Sequence, residues 1–310
     1  MKKGPPLFSS FRKKSKEPLT KDYPLDHKFS ISTTRVSGLA FSSTATNKDG
    51  VSTIDIVAGY KSKYTSVVVK GDAQSNITLA LALKKIEPLT NIVASFNLHD
   101  FESGKIATTL TFTEIAPSTN AIASFKLPDV RSSKLKLQYF HHHATLTSTM
   151  ALNQAPSISV SATIGSPTSA MGAKAAYEMF SSKFINFAAG LNFNRPNSTA
   201  SLVLGDNGDT IRALYRYRVD VLKKTAAAVE ITRRLSANET DFVVGGCCVF
   251  GDQTVVKVKL DSCGKLGAVL QRKIIPRSLV SLSSELDIKG LHKTPKFGLA
   301  LVLKPRSRLL

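Results

Sequence analysis

The chain of 310 residues carries 42 Lys and Arg against 22 Asp and Glu, a formal charge of +20, at a mean hydropathy of −0.01. With 42% hydrophobic residues, so one-sided a charge argues against a disordered chain and points to an anionic partner: nucleic acid, a membrane surface or small anionic solutes. No stretch approaches the ~18 apolar residues of a spanning helix, which excludes a helical membrane protein and leaves a β-barrel open.

In chain order, MKKGPPLFSSFRKK is basic but lacks an apolar core followed by small residues, so a cleaved secretory signal is not expected. Phe8 and Phe11 with the cluster Arg12, Lys13, Lys14 and Lys16 read as a short, retained amphipathic helix that Pro18 ends. From Lys28 to Lys304 almost every segment alternates with period two between turn residues, which is the signature of strands. Strands are expected over 27–35, around Leu39–Ser43 and Ile54–Tyr60, and near 64–71, 76–86, 90–98, 104–114, 119–127, 133–141, 143–152, 156–164, 168–177, 184–194, 197–205, 209–218, 224–234, 241–250, 254–261, 265–274, 277–287 and 295–304. Cys247, Cys248 and Cys263 have no zinc-like spacing and read as small strand residues. His141, His142 and His143 read as a turn, because adjacent strand residues point to opposite faces and at most two of them could meet one ion.

The phase of the alternation separates two chemistries. Leu135, Leu137 and Tyr139 share one face of their strand and Lys134 and Lys136 the other; Val256, Val258 and Leu260 oppose Lys257 and Lys259. Ile54, Ile56, Ala58 and Tyr60 oppose Asp55, with Lys61 and Lys63 following, and Ile211, Ala213, Tyr215 and Tyr217 oppose Arg212, Arg216 and Arg218. A soluble sandwich rarely needs some twenty similar strands without helices, whereas a membrane barrel turns the apolar phase to lipid and the polar phase to the lumen. The pattern therefore predicts an all-β, antiparallel meander barrel of twenty-one transmembrane strands, whose odd number makes the first and last strands parallel at closure.

Residues 77–105 align without gaps to 106–134, with identity at 13 of 29 positions, including Pro88 and Pro117, Ala94-Ser95-Phe96 and Ala123-Ser124-Phe125, and Asp100 and Asp129. Twenty-nine residues make one antiparallel hairpin with its turns, so a tandem hairpin duplication is inferred.

The segment GPPLFSSFRKKSKEPLTKDY, the hairpin KFSISTTRVSGLAFSSTATNK and the final stretch ending in FGLALVLKP resemble the plant-type voltage-dependent anion channels, the mitochondrial outer-membrane porins, over residues 4–305. That family has nineteen strands. Removing one repeat copy and the tail Arg306–Leu310 would bring this chain to the usual plant-type length and to nineteen strands. Lys296, Gly298, Leu301 and Leu303 have the polar-x-Gly-x-x-apolar-x-apolar spacing that resembles the sorting signal of mitochondrial barrels.

The resemblance implies three regions: an amino-terminal segment 1–25 lying in the pore as a short helix, a barrel over 26–305, and a tail 306–310. It implies a voltage-gated, weakly anion-selective channel for adenine nucleotides, phosphate and chloride across the mitochondrial outer membrane. A basic lumen wall of Lys61, Lys63, Lys134, Lys136, Arg212, Arg216, Arg218, Lys257 and Lys259, with the segment's Arg12, Lys13, Lys14 and Lys16 in the path, suits passing anions. Neither the family's Gly-Leu-Lys turn, replaced by Leu89-Thr-Asn91 and Ser118-Thr-Asn120, nor the lipid-facing acid of animal members, at Val67, Val68, Val69 and Lys70, is present. Neither a nucleotide contact nor regulation through that acid is therefore carried over. The alternatives are a protein-import barrel of the same fold, which long terminal extensions would favour, and a non-conducting duplicated paralogue. A basic β protein for nucleic acid ranks low, since the aromatics share the apolar phase and Trp is absent. Membrane lipid is the expected partner and homo-oligomerisation stays open. No cofactor, metal or catalysis is expected.

Overall fold

A computed structural model describes residues 4–11, 16–20, 23, 25–34, 37–48, 50–74, 76–87, 90–99, 105–116, 118–127, 133–152, 156–220, 225–251, 253–275, 278–290 and 294–304. One sheet of 21 strands runs through them: β1 (His27–Thr34), β2 (Leu39–Lys48), β3 (Val51–Lys61), β4 (Thr65–Asp72), β5 (Ile77–Glu87), β6 (Thr90–His99), β7 (Lys105–Ala116), β8 (Thr119–Leu127), β9 (Lys134–Phe140), β10 (Ala144–Ala151), β11 (Ser157–Gly165), β12 (Ser169–Glu178), β13 (Lys183–Asn194), β14 (Ser198–Gly205), β15 (Thr210–Asp220), β16 (Thr225–Arg234), β17 (Glu239–Phe250), β18 (Thr254–Asp261), β19 (Lys265–Ile275), β20 (Ser278–Asp287) and β21 (Lys296–Leu303). Each strand pairs antiparallel with the next. The sheet closes through parallel pairing of β1 with β21, from Lys28 opposite Ala300 to Ile31 opposite Leu303. A closed barrel leaves no backbone edge for lipid to face, which is what a spanning sheet requires.

The two phases lie on two surfaces. Ile54, Ile56, Met171 and Phe297 are between 52% and 64% exposed in the isolated chain, values that identify a lipid-facing surface, since water would not tolerate so large an apolar band. Among the described residues no helix is long and apolar enough to cross a membrane, and the crossing elements are strands. Short hairpins join them: Gly38, Gly50 and Gly264 take φ near +85° in their turns, a region closed to most side chains. β13 outruns β14, and the turn after β14 covers the difference. Asn207 donates to the Ile185 carbonyl at 3.1 Å and accepts from the Phe187 amide at 2.9 Å, standing in for a strand neighbour.

Both repeat copies are in the wall, as β5–β6 and β7–β8. Each loses register at the corresponding place, between Leu83 and Glu87 and between Thr113 and Ala116, just ahead of Pro88 and Pro117 in the sequence.

The described residues of the amino-terminal segment pack on the barrel face that carries the polar phase, through Phe8, Leu19 and Tyr23. The segment's described helical residues form two separate pieces rather than one helix, a 3-10 turn Phe8–Ser10 and a short α1 (Glu17–Thr20). Pro18, expected to end a helix, instead sits in the first turn of α1, where its missing N–H loses no bond. Packing inside the lumen is local: Leu19 of α1 is 2% exposed against the wall residues Leu214 and Ala228, with Val243 beside them. Cys247 and Cys248 are strand residues, but Cys263 occupies the turn between β18 and β19 and is exposed. The tail 306–310 lies outside the described residues.

Candidate permeation pathway

Register fixes which side chains line the lumen. On β11 to β16 the residues Ser161, Lys174, Ala188, Val203, Arg212 and Thr232 follow one another across the ladder, or sit one pair removed, on the same face. The amino-terminal segment rests on this face, so it is the inner one. The same bookkeeping puts Lys134 and Lys136 of β9, Lys61 at the end of β3, Arg216 and Arg218 of β15, and Lys257 and Lys259 of β18 on the inner face. Lys63 lies in the turn between β3 and β4, its ammonium 5.5 Å from the centre of the Tyr64 ring. Arg12, Lys13 and Lys14 lie outside the described residues.

Lysines that sequence phase assigned alike have different surroundings. Lys16 reaches across to Glu230 on β16 at 3.1 Å, and Glu230 is only 5% exposed. Lys259 is laid over the Tyr23 ring, its ammonium 4.6 Å from the ring centre, and its stem fills the space a Cβ on Gly267 would need. These two hold the segment to the wall. Lys136, Lys174 and Arg212 instead surround a cavity of about 510 Å³ between the wall and the rings of Phe8 and Phe11. Lys174 of β12 and Lys70 of β4, which pairs with Asp55 at 3.3 Å, are lumen cations absent from the sequence-based set. Their alternation was legible in Lys174 against Ala173 and Ala175, but alanines carry little phase signal.

The segment is seated on glycines. Gly172 and Gly190 face each other across β12 and β13, and Cβ atoms built there would lie 3.0 and 3.4 Å from the Phe8 ring. A Cβ on Gly245 would come within 2.9 Å of the Leu19 side chain. Tyr23, half-buried between Gly267 and Lys259, has its phenol pushed up to about 12, first by burial and then by Cys247. At the barrel seam, Lys296 and Gly298 face inward while Leu301 and Leu303 face lipid and pair with Phe29 and Ile31. His141, His142 and His143 are exposed in the turn between β9 and β10, and among the described residues no cluster suited to a metal is found.

A closed sheet with an apolar outside and a wet, charged inside is a membrane-spanning pore. The chain belongs to the eukaryotic porin family, whose model matches residues 4–107 and 101–298, the two matches meeting where one repeat copy passes into the next. It is 45% identical to mitochondrial outer membrane protein porin 2 of Arabidopsis thaliana, over 98% of this chain and 100% of that one. It is 38% identical to mitochondrial outer membrane protein porin 5 of Oryza sativa subsp. japonica over 98% and 99%, and 35% identical to porin 4 of Arabidopsis thaliana over 98% and 100%. The protein is a β-barrel of the mitochondrial outer membrane and a pore for metabolites, in a family of channels rather than enzymes.

Proposed function

We propose that the protein is a voltage-gated, weakly anion-selective diffusion channel for adenine nucleotides, phosphate and chloride. The observation that carries this reading is the inward phase of Lys61, Lys134, Lys136, Lys174, Arg212, Arg216, Arg218 and Lys257, all on one continuous inner surface. Fixed cations beside water lower the energy of a passing anion and raise that of a cation. In a wide, hydrated lumen the attraction is of order 1 kcal/mol per contact, so the anion also leaves.

The amino-terminal segment is the natural moving part. It is joined to the barrel through one end, carries the cation Lys16, and is held by contacts with side chains and glycines rather than by the β-ladder. A field across the membrane acts on the charge of such an element, and about 2.3 kcal/mol per elementary charge per 100 mV is enough to shift a marginal docking equilibrium.

Purified protein in a planar bilayer under a potassium chloride gradient tests both parts. A reversal potential on the chloride side and conductance that falls at high voltage of either sign are the expected results. Preference for potassium overturns the selectivity, and conductance independent of voltage overturns the gating.

A further inference from the structure

The hairpins give the barrel two unlike mouths. One is formed by the turns that follow β3, β9, β11 and β13, the other by those that follow β4, β14, β16 and β18. Most described Asp and Glu of the barrel lie either in a turn of the second mouth or in the half of their strand leading there, among them Asp72, Glu178, Asp206, Asp241, Asp261 and Glu285; the exceptions are Glu87, Glu114 and Asp220, at the first-mouth ends of β5, β7 and β15. The second mouth also has its own Lys and Arg, and the ion pairs found among the described residues belong to that half: Lys70 with Asp55, Arg212 with Asp206, Arg234 with Glu239 and Lys16 with Glu230. The first mouth carries Lys61, Lys63, Arg195, Arg218, Lys273 and Lys304 against the described acids Glu87, Glu114 and Asp220. With Arg35, Lys84, Lys85, Lys223, Lys224, Arg277 and Asp252, which the sequence places at the ends of or between the same strands, the first mouth counts twelve Lys and Arg against four Asp and Glu, a clear positive excess.

We propose that the pore is electrically asymmetric along its axis: the mouth with Lys61, Lys63 and Arg218 sets the anion preference, and the opposite mouth, with its charges paired, contributes little. The inference rests on the anion-selective reading above and gives it a place and a direction. A net excess of one sign at an entrance concentrates counter-ions and repels co-ions, whereas balanced, paired charges present mainly dipoles whose field falls off faster. Salt screens the entrance over a Debye length of ~10 Å at 0.1 M and ~30 Å at 0.01 M. Selectivity therefore follows the ionic strength at the basic mouth and is nearly indifferent to that at the mixed one. A multivalent anion entering through the basic mouth is captured over a longer range than one entering from the other side.

The test measures reversal potentials of single channels of known orientation, with the same potassium chloride gradient applied in each direction. Cys263, exposed in the turn after β18 at the mixed mouth, reports orientation when it is biotinylated and streptavidin, too large to pass the lumen, is added to one compartment. The chloride-to-potassium permeability ratio is expected to be about twofold higher when the dilute solution bathes the basic mouth. The combined Lys61→Gln, Lys63→Gln, Arg218→Gln variant should lose that difference while keeping the ratio measured with the dilute solution at the mixed mouth. Anion preference of equal size in both directions overturns the asymmetry and leaves the selectivity standing. Absence of anion preference in either direction overturns the selectivity and the asymmetry with it.

Discussion

At the scale of single residues, the pair Lys16–Glu230 shows how an ionic contact in a water-filled lumen differs from one in a protein core. Glu230 is nearly covered while 39% of the Lys16 side chain stays exposed. Lys16→Ala removes one partner of a covered carboxylate and should weaken segment docking by on the order of 1 kcal/mol, after screening is allowed for. Glu230→Gln leaves only a wet lysine and should cost less. Protease cleavage of the segment in liposomes, compared between the two variants, reads this order, and equal or reversed sensitivity would count against it. The glycine seat gives a sharper test. Gly172→Ala should push the Phe8 ring off the wall and expose the segment, whereas Gly71→Ala, where a Cβ meets nothing within 4 Å, should change nothing. Because the new methyl also presses on the Ala162 carbonyl at 3.0 Å, the Phe8→Ala, Gly172→Ala double variant is needed. Coupling between the two losses identifies the seat, and simple addition denies it.

Tyr23 adds a pH dependence whose sign is fixed. Its phenol titrates near 10.0 when released and about 12 when docked, so docking favours the protonated form. That contribution is fully present below pH 10 and is lost as pH rises towards 12. Protection of the segment should fall across that window by more in the native protein than in Tyr23→Phe, and a fall of the same size in both would remove Tyr23 as the cause.

At the scale of elements, the duplicated hairpin is a natural experiment in register. β5 pairs with β4 through Thr78 opposite Lys70 and Ala80 opposite Val68; β7 offers Ala107 and Thr109 at the same phase to β6. Because 29 residues contain a whole hairpin, removing residues 77–105 brings β7 beside β4 without turning any side chain to the wrong face. The shortened chain is expected to close with nineteen strands. Barrel diameter scales about linearly with strand number, so it should be roughly 10% narrower and its single-channel conductance roughly 20% lower. Identical conductance would reject a 21-stranded conducting wall. The tandem repeat and the strand count could be read from the chain because alternation and self-similarity are local signals. Two helical pieces in place of one, and Pro18 starting α1 rather than ending a helix, could not. A lumen wall supports short turns that would not hold in water, and that support comes from residues two hundred positions away.

At the scale of the whole molecule, the +20 charge is distributed rather than pooled. Some of it is engaged in holding the segment, as at Lys16 and Lys259, some is paired around the mixed mouth, and the remainder lines the inner wall and the basic mouth. The last share is the one that faces permeants. Lys174→Glu, on the inner wall beside the Phe8 and Phe11 cavity, should therefore lower the chloride preference, while Lys48→Glu, on the same phase but at the mixed-mouth end of β2, should change it less. Reversal potentials of the two variants decide between a lumen effect and a mere change of net charge.

The sequence by itself determined the class of the fold, its strand number, the parallel closure and the face to which each alternating residue points. Those follow from a period of two and from a solvent that is apolar on one side of the sheet and aqueous on the other. The tertiary structure decided which lumen cations are held by the segment and which remain in the path, that Phe8 rests on Gly172 and Gly190, and that Lys63 belongs to a turn. These depend on where a non-periodic segment lands on a distant wall and where each strand stops. Contacts of that kind are set by shape and charge across the lumen and leave no repeating mark along the chain.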